Sequence, residues 1–447
     1  MEGHPKISDR TTDLEKFVAD GNSVVHFQLV RTAEDLRDDK GTFHPAMCHQ
    51  IFNEQETIFG YENLRIDIKL AAGSLKTYLG IKYTSKISAD LCDGVEPDNI
   101  HEKLDEVLAP NYLTNFDDFS ACISTETEAF RPLGELVSSF TWLARNEKQL
   151  PEEREPTENG GVGTSRNGSK RSNGVNRGPV EKTFVIYACE ISDPKFLAYV
   201  IKMEEFLLWF VDAASFIDQQ DEKWKFFVMY EKYKTSEGND AYAFVGYSTV
   251  YNFFAYPANI RPRVSQMLIL PPFQRQGLGV NLLSTVYKYY RADARVKEIT
   301  VEDPSDDFEM LRDYVDAKDC LKLQSYSVDN LKKGFSEKML EETSKHLKMT
   351  KRQSRRMFEL LRLRSINVNN DKEFKEYRLD VKRRLNIPYQ KQENDIKRMI
   401  RRKCNSVELQ QAAQIDDASR KTELQSNFQN LYQHYQNIIN RLDKFDN

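Results

Sequence analysis

A six-residue segment, Gln274–Gly279, has the spacing of a loop that binds an anion. Its sequence, QRQGLG, follows the apolar run RVSQMLIL and precedes the amphipathic stretch VNLLSTVYKYY. A turn between a strand and a helix presents backbone N–H groups and the positive end of the helix dipole, and both favour phosphate. The segment therefore predicts a phosphate-binding turn.

Two common phosphate loops do not fit these residues. A Walker A loop requires GxxxxGK[ST], which the segment lacks. The dinucleotide fingerprint GxGxxG is met at Gly277 and Gly279, but Leu282 stands at its third glycine. Pro271 and Pro272 also end the strand pattern, because proline cannot donate to a ladder. The pattern that remains is Q/R-x-x-G-x-G/A.

Three carboxylates are candidates for acid–base chemistry. Glu302 and Asp303 close the predicted strand KEITVED, directly before Pro304. A carboxylate there could remove a proton from an amine if burial raised its pKa, although an ordinary strand-end acid that caps a loop is the alternative. Asp212 lies in the apolar stretch WFVDAASFI, where burial of an unpaired carboxylate would be costly, so a functional role is a candidate explanation.

The elements that must position these residues mix strands and helices. Short strands are predicted at VVHFQLVR, LRIDIKLAAG, TYLGIKYTSKI, TFVIYACEI, WKFFVMYEKY, AYAFVGYSTVYNFF, RVSQMLIL and VKEITVED. Apolar residues at three- and four-residue spacing predict one long helix over PKFLAYVIKMEEFLLWFVDAASFI and another over GVNLLSTVYKYYRA. The predicted fold class is α/β (α+β).

The segment from Leu150 to Lys182 breaks this pattern. It holds six glycines and only isolated valines, so it cannot bury a face and is predicted to be a flexible insertion. Its position between FTWLAR and TFVIYACEI indicates a hairpin connection that has grown long. Loops tolerate such growth because the entropic cost of closing them rises slowly with loop length.

From about Phe308 onward only helices are predicted, with N-terminal caps at Thr350 and Asn370. The last helix carries an apolar seam with 4-3 spacing, which packs either on the protein's own helices or on a partner helix. The seam consists of Leu424, Phe428, Leu431, Tyr435, Ile438, Leu442 and Phe445.

The net charge of −5 hides an asymmetry along the chain. Ile87–Phe130 holds eleven Asp or Glu and one Lys, whereas Lys348–Lys403 holds nineteen Lys or Arg and seven Asp or Glu. Such regions can attract a basic peptide and an acidic partner respectively, but both also suit solvated helix faces. The six cysteines form no CxxC pair and are predicted to be reduced thiols, and the seven scattered histidines predict no metal site.

The glycine turn with its flanking strand and helix resembles the acetyl-CoA loop of the GCN5-related N-acetyltransferase superfamily. Longer motifs narrow the resemblance to the catalytic subunit of type B histone acetyltransferases. They are RPRVSQMLILPPFQRQGLG, ITVEDPSDDFEMLRDYVD, FLLWFVDAASFID and VGYSTVYNFFAYP, with IFGYENLRI and AGSL near the N-terminus and YRLDVKRRLNIPY near the C-terminus. The resemblance covers nearly the whole chain except Leu150–Lys182.

This resemblance implies four regions. They are a mixed, histone-contacting N-terminal domain at 1–149, the insertion at 150–182, a central acetyl-CoA-binding domain of the GCN5-related acetyltransferase fold at 183–318, and a helical C-terminal domain at 319–447. It also implies acetyl-CoA as co-substrate without a metal, and lysines of the newly made histone H4 tail, carried in a histone H3–H4 complex, as acceptors. A WD40-repeat histone chaperone of the retinoblastoma-binding type is the expected partner, in nucleus and cytoplasm, with no membrane association and no direct DNA binding.

The resemblance assigns roles to individual positions. Glu302 matches the general base, and Asp303 and Asp212 are further candidates for proton removal. The family often has Glu at the position of Asp212, so the shorter side chain leaves a water relay or a lesser role open. The implied cofactor-binding residues are Met267, Leu268, Ile269, Gln274, Arg275, Gln276, Gly277, Leu278, Gly279, Val280 and Ser305. The implied peptide-binding residues are Glu54, Gln55, Glu56, Trp224, Tyr251, Asn252 and Phe253, with core packing as the alternative for Trp224.

Two other functions stay open at this point. One is an acetyltransferase that acts on another protein or a small amine. The other is a non-catalytic histone-binding scaffold, against which the intact Gly277, Gly279 and Glu302 count.

We expect Gly279→Glu to weaken acetyl-CoA binding, because it adds bulk and negative charge where the loop would approach a pyrophosphate. Isothermal calorimetry measures the affinity, and a melting curve shows that the fold is kept. An unchanged affinity would remove this turn from the cofactor site.

Overall fold

The computed structural model describes residues 14–92, 94–144, 180–402 and 417–446, which form two compact units. The first unit comprises the described residues of Met1–Thr249 together with Gln266–Leu278. The second comprises those of Val250–Ser265 and Gly279–Asn447. The four-region division given above stays a prediction.

The N-terminal part of the first unit is mixed. Its strands are β1 (Val18–Asp20), β2 (Val25–Val30), β3 (Thr42–Phe43), β4 (Thr57–Phe59), β5 (Tyr61–Glu62), β6 (Arg65–Ala71), β7 (Thr77–Lys82) and β8 (Ser85–Lys86). Its helices are α1 (Gly21–Val24), α2 (Ile100–Asp105) and α3 (Phe116–Ala129), with short 3-10 segments at Ala33–Arg37 and Ala89–Leu91. Strands β3-β2-β6-β7 form one sheet, in which β2 and β6 are parallel and the other neighbours are antiparallel.

The core of this part gathers around Phe27 of β2. Phe27 is fully buried, as are Ile66 and Ile68 on the neighbouring strand β6. Its ring lies 6.0 Å from that of Phe206 and 5.5 Å from that of Trp209. These contacts hold the four-stranded sheet against the segment that leads to Asp212.

A six-stranded sheet follows along the chain. Its strands are β9 (Glu135–Ala144), β10 (Val180–Glu190), β11 (Trp224–Lys234), β12 (Asp240–Ala255), β13 (Asn259–Ile269) and β14 (Thr300–Val301), in the order β14-β13-β12-β11-β10-β9. Strands β9 to β11 are antiparallel neighbours, whereas β14 is parallel to β13. Within the described residues, β12 and β13 contribute to both units.

The predicted hairpin connection between FTWLAR and TFVIYACEI is confirmed. Ala144 and Val180 lie opposite each other at the ends of antiparallel β9 and β10, so the chain between them is a hairpin connection. Residues 145–179 lie outside the described part of the chain, and so does the prediction of their flexibility. The insertion ends earlier than predicted, because residues 180–182 belong to β10.

The single long helix predicted over residues 194–217 is wrong. Two helices are present instead, α4 (Pro194–Glu204) and the short α5 (Leu207–Phe210). Glu204, at the end of α4, accepts a hydrogen bond from the N–H of Ile217 at 3.0 Å, which turns the chain back on itself. Burial raises the pKa of Glu205 to about 7, and its carboxylate accepts from the Thr77 hydroxyl at 2.7 Å. The spacing of apolar residues does not predict these hydrogen bonds of Glu204 and Glu205.

Helices dominate the second unit, as predicted. They are α6 (Leu278–Ala292), α7 (Asp306–Cys320), α8 (Val328–Lys333), α9 (Glu337–Glu342), α10 (Lys351–Ser365), α11 (Asp371–Leu385), α12 (Ile387–Arg401) and α13 (Asp417–Asp446). The described residues of this unit also include a 3-10 segment at Gln324–Tyr326 and a π-helical one at Thr343–Leu347. Both predicted caps are confirmed, because Thr350 and Asn370 accept N–H bonds from the first turns of α10 and α11.

The apolar seam of α13 packs inside the second unit. Phe428, Tyr435, Ile438 and Leu442 are buried, and α13 contacts α7, α10 and α11. Leu424 and Leu431 are half-buried, and the side chain of Phe445 lies outside the described part. Of the two alternatives for the seam, internal packing is therefore the one observed.

Charged side chains are buried beside this seam. Glu359 is fully buried and accepts hydrogen bonds from Arg384 at 2.7 and 2.8 Å and from Arg355 at 3.0 Å. Burial works to raise the pKa of Asp313, but His434, Arg356 and Gln353 outweigh it and leave that pKa lowered. Among the described residues, no helix is long and apolar enough to cross a bilayer.

We expect Glu359→Gln to destabilise the C-terminal helices by about 3 kcal/mol, because it leaves two guanidinium groups without their buried carboxylate. Urea unfolding followed by circular dichroism measures this loss. The control is Glu393→Gln, which removes an exposed carboxylate on α12 that pairs with Lys397, and it should leave the urea midpoint close to that of the wild type. Equal effects of the two variants would contradict a buried ionic network.

Candidate active site

The predicted phosphate turn lies between β13 and α6, as the spacing required. After β13 ends at Ile269, Pro271–Phe273 form a 3-10 turn and α6 begins at Leu278. The Gln274 side chain donates to the carbonyl of Ile269 at 2.8 Å, and that of Gln276 donates to the carbonyl of Pro272 at 3.0 Å. The loop is therefore braced by its own glutamines.

Gly277 has the conformation that such a turn needs. Its φ is +78°, a region that favours glycine, and a Cβ at this position would lie 3.4 Å from the ring of Trp142. Arg275 also has positive φ, at +59°, and its side chain is exposed. Leu278 is buried, whereas Gly279 and Val280 in the first turn of α6 are half-buried. The backbone here is thus fixed by the turn, with one aromatic ring beside it.

Strand β13 has two different edges. Leu270 donates its N–H to Val245 on β12, and Gln266 donates its N–H to the Thr249 hydroxyl. In a strand the backbone groups of successive residues face opposite edges, so those of Met267 and Ile269 face away from β12. Within the described residues, the ladder with β14 covers only Arg263 and Val264. The backbone groups of Met267 and Ile269 therefore face an edge of β13 beside which the described residues place no further strand, whereas those of Leu268 face β12.

Glu302 follows β14 and is held by contacts within the second unit. Its N–H donates to the carbonyl of Val264 at 2.9 Å, and its carboxylate accepts from the Ser265 hydroxyl at 2.7 Å. The Arg263 guanidinium lies 3.9 Å from the same carboxylate. The Glu302 side chain is 46% exposed, so solvent reaches its carboxylate. Arg263 and Ser265 were not predicted, although they are alternate residues on one face of β13.

Two predicted peptide-binding residues join this group through Arg263. The guanidinium of Arg263 lies 4.6 Å from the ring centroid of Phe253, and the rings of Phe253 and Tyr251 are 4.5 Å apart, edge to face. Asn252 between them is half-buried. Tyr251, Phe253 and Glu302, predicted from separate motifs, are therefore linked in one cluster.

Two further predicted residues after β14 take different positions. Asp303 is exposed and has a φ of +24°. Ser305 caps α7, and its hydroxyl accepts the N–H of Phe308 at 3.3 Å.

The predicted peptide-binding residue Trp224 is the first residue of β11 and is half-buried.

A second acidic cluster lies in the first unit. Asp212 is not in a helix but in the turn after α5, and its side chain is 72% exposed. It lies 3.2 Å from Nε2 of His49, whose Nδ1 lies 3.5 Å from Glu56. The N–H of Cys48 lowers the pKa of Glu56, and the side chains of Asn22 and His49 act in the same direction. Glu54 and Gln55 are exposed beside it, so the predicted acidic patch lies at the surface.

The two clusters contain groups that can accept protons or bind cations. Both present carboxylates with partial exposure, and both include side chains that can hydrogen-bond to them. Among the described residues, no group of His, Cys, Asp and Glu is arranged to hold a metal ion.

Comparison with known proteins shows similarity along most of the chain. Residues 17–212 match the family described as "Histone acetyl transferase HAT1 N-terminus", and residues 312–363 match "Histone acetyltransferase type B catalytic subunit, C-terminal". The chain is 37% identical to the histone acetyltransferase type B catalytic subunit of Homo sapiens over 431 residues, which cover 96% of this chain and 94% of that protein.

More distant similarities were also found. The corresponding subunit of Cryptococcus neoformans is 31% identical over 387 residues, covering 83% of this chain and 89% of that one. A solved aminoglycoside acetyltransferase from an uncultured soil sample, in complex with sisomicin, is 20% identical and aligns with a TM-score of 0.21, covering 29% of this chain and 83% of that chain.

Proposed function

Since the chain belongs to the family of histone acetyltransferase type B catalytic subunits and is a histone acetyltransferase, we propose that its acceptors are lysine side chains of the newly synthesised histone H4 tail. The near full-length similarity to this family carries the proposal. The cluster around Glu302 supports it, because it supplies a carboxylate with a hydroxyl and aromatic faces beside it.

We propose that the turn, together with the edge of β13 toward which the backbone groups of Met267 and Ile269 face, holds acetyl-CoA. The outward backbone groups of Met267 and Ile269 suit the amides of the pantetheine arm, and the N–H groups at the start of α6 suit its pyrophosphate. Positive φ at Gly277 supports this fit, because a residue without a side chain lets a ligand approach the backbone. When bound, acetyl-CoA supplies the acetyl group as a thioester.

The residues of this chain must then provide a neutral amine. Lysine has a reference pKa of about 10.4, so its deprotonation near pH 7.4 costs roughly 4 kcal/mol. We propose that Glu302 accepts this proton, directly or through a water molecule, with the Ser265 hydroxyl orienting its carboxylate. An amine that approaches Glu302 also meets Arg263, and a nearby like charge disfavours its protonated form.

Aromatic and acidic side chains are proposed to guide the tail. The rings of Tyr251 and Phe253 can cover the apolar stem of a lysine, and Trp224 is proposed to act in the same way. Glu54, Gln55 and Glu56 present negative charge and hydrogen-bond acceptors to a basic peptide. Such a tail gives up conformational entropy when it binds, so several charge pairs are needed to hold it.

The proposed assembly and location follow the family. The histone is proposed to arrive as an H3–H4 complex, together with a WD40-repeat chaperone of the retinoblastoma-binding type, in the nucleus and cytoplasm. Pull-down of this chain with the purified chaperone, with and without H3–H4, tests the assembly.

One labelling experiment separates the proposed function from the alternatives. The protein is incubated with labelled acetyl-CoA and a panel of core histones, H4 tail peptide and small amines. Label on the H4 tail supports the proposal. Label on another amine alone, or on none, would replace it by a different acetyltransferase or by a binding scaffold.

We expect Glu302→Gln to lower kcat by roughly 100-fold or more, because the amide keeps the shape of the side chain but cannot accept the proton. Acetyl-CoA affinity should change little. The defect should shrink at high pH, where more of the acceptor lysine is already neutral.

The matched control is Glu298→Gln, a carboxylate of the same segment that pairs with Arg261 at 2.8 Å, and it should keep wild-type turnover. Steady-state kinetics on an H4 tail peptide from pH 6 to about 9.5 gives both profiles. A rise in KM for the peptide alone would make Glu302 a binding residue and leave Asp303 or Asp212 as the base.

A further inference from the structure

His49 lies between two carboxylates that come from distant parts of the chain. Its Nε2 is 3.2 Å from Asp212, and its Nδ1 is 3.5 Å from Glu56. Resemblance to the family assigns these acids to different tasks, proton removal for Asp212 and peptide contact for Glu56. One imidazole thus joins two functional candidates that no sequence motif connects.

The backbone around His49 is clamped to the segment that carries Asp212. Ala46 and Met47 both donate their N–H groups to the carbonyl of Trp209, at 3.0 and 3.2 Å. The Gln50 side chain donates to the carbonyls of Leu208 and Val211, at 3.1 and 3.0 Å. These four bonds join the segment on either side of His49 to the residues just before Asp212. The fold therefore sets the distance between the imidazole and the carboxylate.

The Glu56 side of the imidazole is also anchored. The Glu56 carboxylate accepts from the N–H of Cys48 at 2.8 Å and from the Asn22 side chain at 2.7 Å. Glu56 therefore has fixed partners besides His49. Asp212, in contrast, is 72% exposed, and among the described contacts its carboxylate pairs with His49. The orientation of Asp212 thus depends on the imidazole more than the orientation of Glu56 does.

The chemistry of the ring suits this task. A neutral imidazole carries one N–H donor, and a protonated one carries two. With a proton on Nε2, the ring donates to Asp212 and restricts a side chain that solvent would otherwise leave free to rotate. Such restriction matters here, because Asp is one methylene shorter than the Glu that the family often has, so its carboxylate reaches less far from the backbone.

We propose that His49 is a positioning residue for acetyl transfer, which holds the Asp212 carboxylate where the acceptor lysine loses its proton. This rests on the proposed function and adds to it that Asp212, the further candidate for proton removal, takes part in that step as well as Glu302. An N–H bond of the lysine ammonium breaks and an O–H bond forms on Asp212, or on a water molecule that it polarises. The nitrogen keeps the electron pair and bonds to the acetyl carbon, and the C–S bond of the thioester breaks. The sulfur of coenzyme A leaves with that electron pair and takes up the second proton that the nitrogen loses, while the proton on Asp212 passes to solvent.

The test compares turnover of the full-length protein and its variants on an H4 tail peptide. His49→Ala should lower kcat about tenfold, less than the loss of a principal base, with acetyl-CoA affinity and melting temperature unchanged. His49→Gln should keep most of the turnover, because its amide can still donate to Asp212. His101→Ala, which removes an exposed imidazole on α2 of the same unit, should match the wild type.

The double variant distinguishes positioning through Asp212 from an independent role. If His49 acts through Asp212, His49→Ala combined with Asp212→Asn should be no slower than Asp212→Asn alone. Multiplying defects, wild-type kcat in His49→Ala, or a change confined to KM for the peptide would each overturn the proposal. A lower melting temperature in both His49→Ala and His49→Gln, matching their loss of kcat, would show a structural role and overturn it as well.

Failure of the proposed function would look different. If the wild type labels another amine instead of the H4 tail, the same variants are compared on that amine, and the same kcat pattern supports positioning by His49 there. If the wild type labels H4 but His49→Ala equals it, only the present inference fails. If the wild type labels no amine, both fail.

Discussion

The parallel pairing of two residues between β13 and β14 is the constraint on which the Glu302 cluster depends. Arg263 and Val264 lie opposite Thr300 and Val301, and the N–H of Glu302 then closes on the carbonyl of Val264. This register sets the Glu302 carboxylate beside the Ser265 hydroxyl. Because strand side chains alternate between faces, a slip of one residue would turn Glu302 to the other face and break the cluster.

Exposure separates the carboxylates that stabilise the fold from those proposed to take part in proton transfer. Glu359 is fully buried between arginines, and a charge so placed stabilises only while its partners remain. Glu302 and Asp212 are 46% and 72% exposed, with partners on one side and solvent on the other. A carboxylate that must exchange protons with a substrate needs this accessibility. Part of the basic stretch Lys348–Lys403 also stabilises the fold, because four of its arginines pair with acids of the same unit. They are Arg355, Arg356, Arg362 and Arg384.

The sequence by itself determined the features that depend on a few neighbouring residues. The order of strand, double proline, glycine turn and helix around Gly277, the caps at Thr350 and Asn370, and the hairpin position of the insertion were all predicted and are present. Each follows from backbone chemistry within one turn or one strand: a φ that only glycine adopts easily, a missing proline donor, a side-chain acceptor at a helix start. The family was likewise predicted from motifs in the sequence alone.

Only the tertiary structure decided which distant residues meet. It ended the predicted helix before Asp212, because the buried Glu204 captured the N–H of Ile217. It brought His49 to Asp212, and it placed Arg263 between Glu302 and Phe253. It also turned the seam of α13 inward. Periodicity gives the faces of a helix or strand, but a contact between segments depends on strand register, on turns and on which buried polar groups find partners. Those are settled by the packing of the whole chain, since no local segment contains both members of the pair.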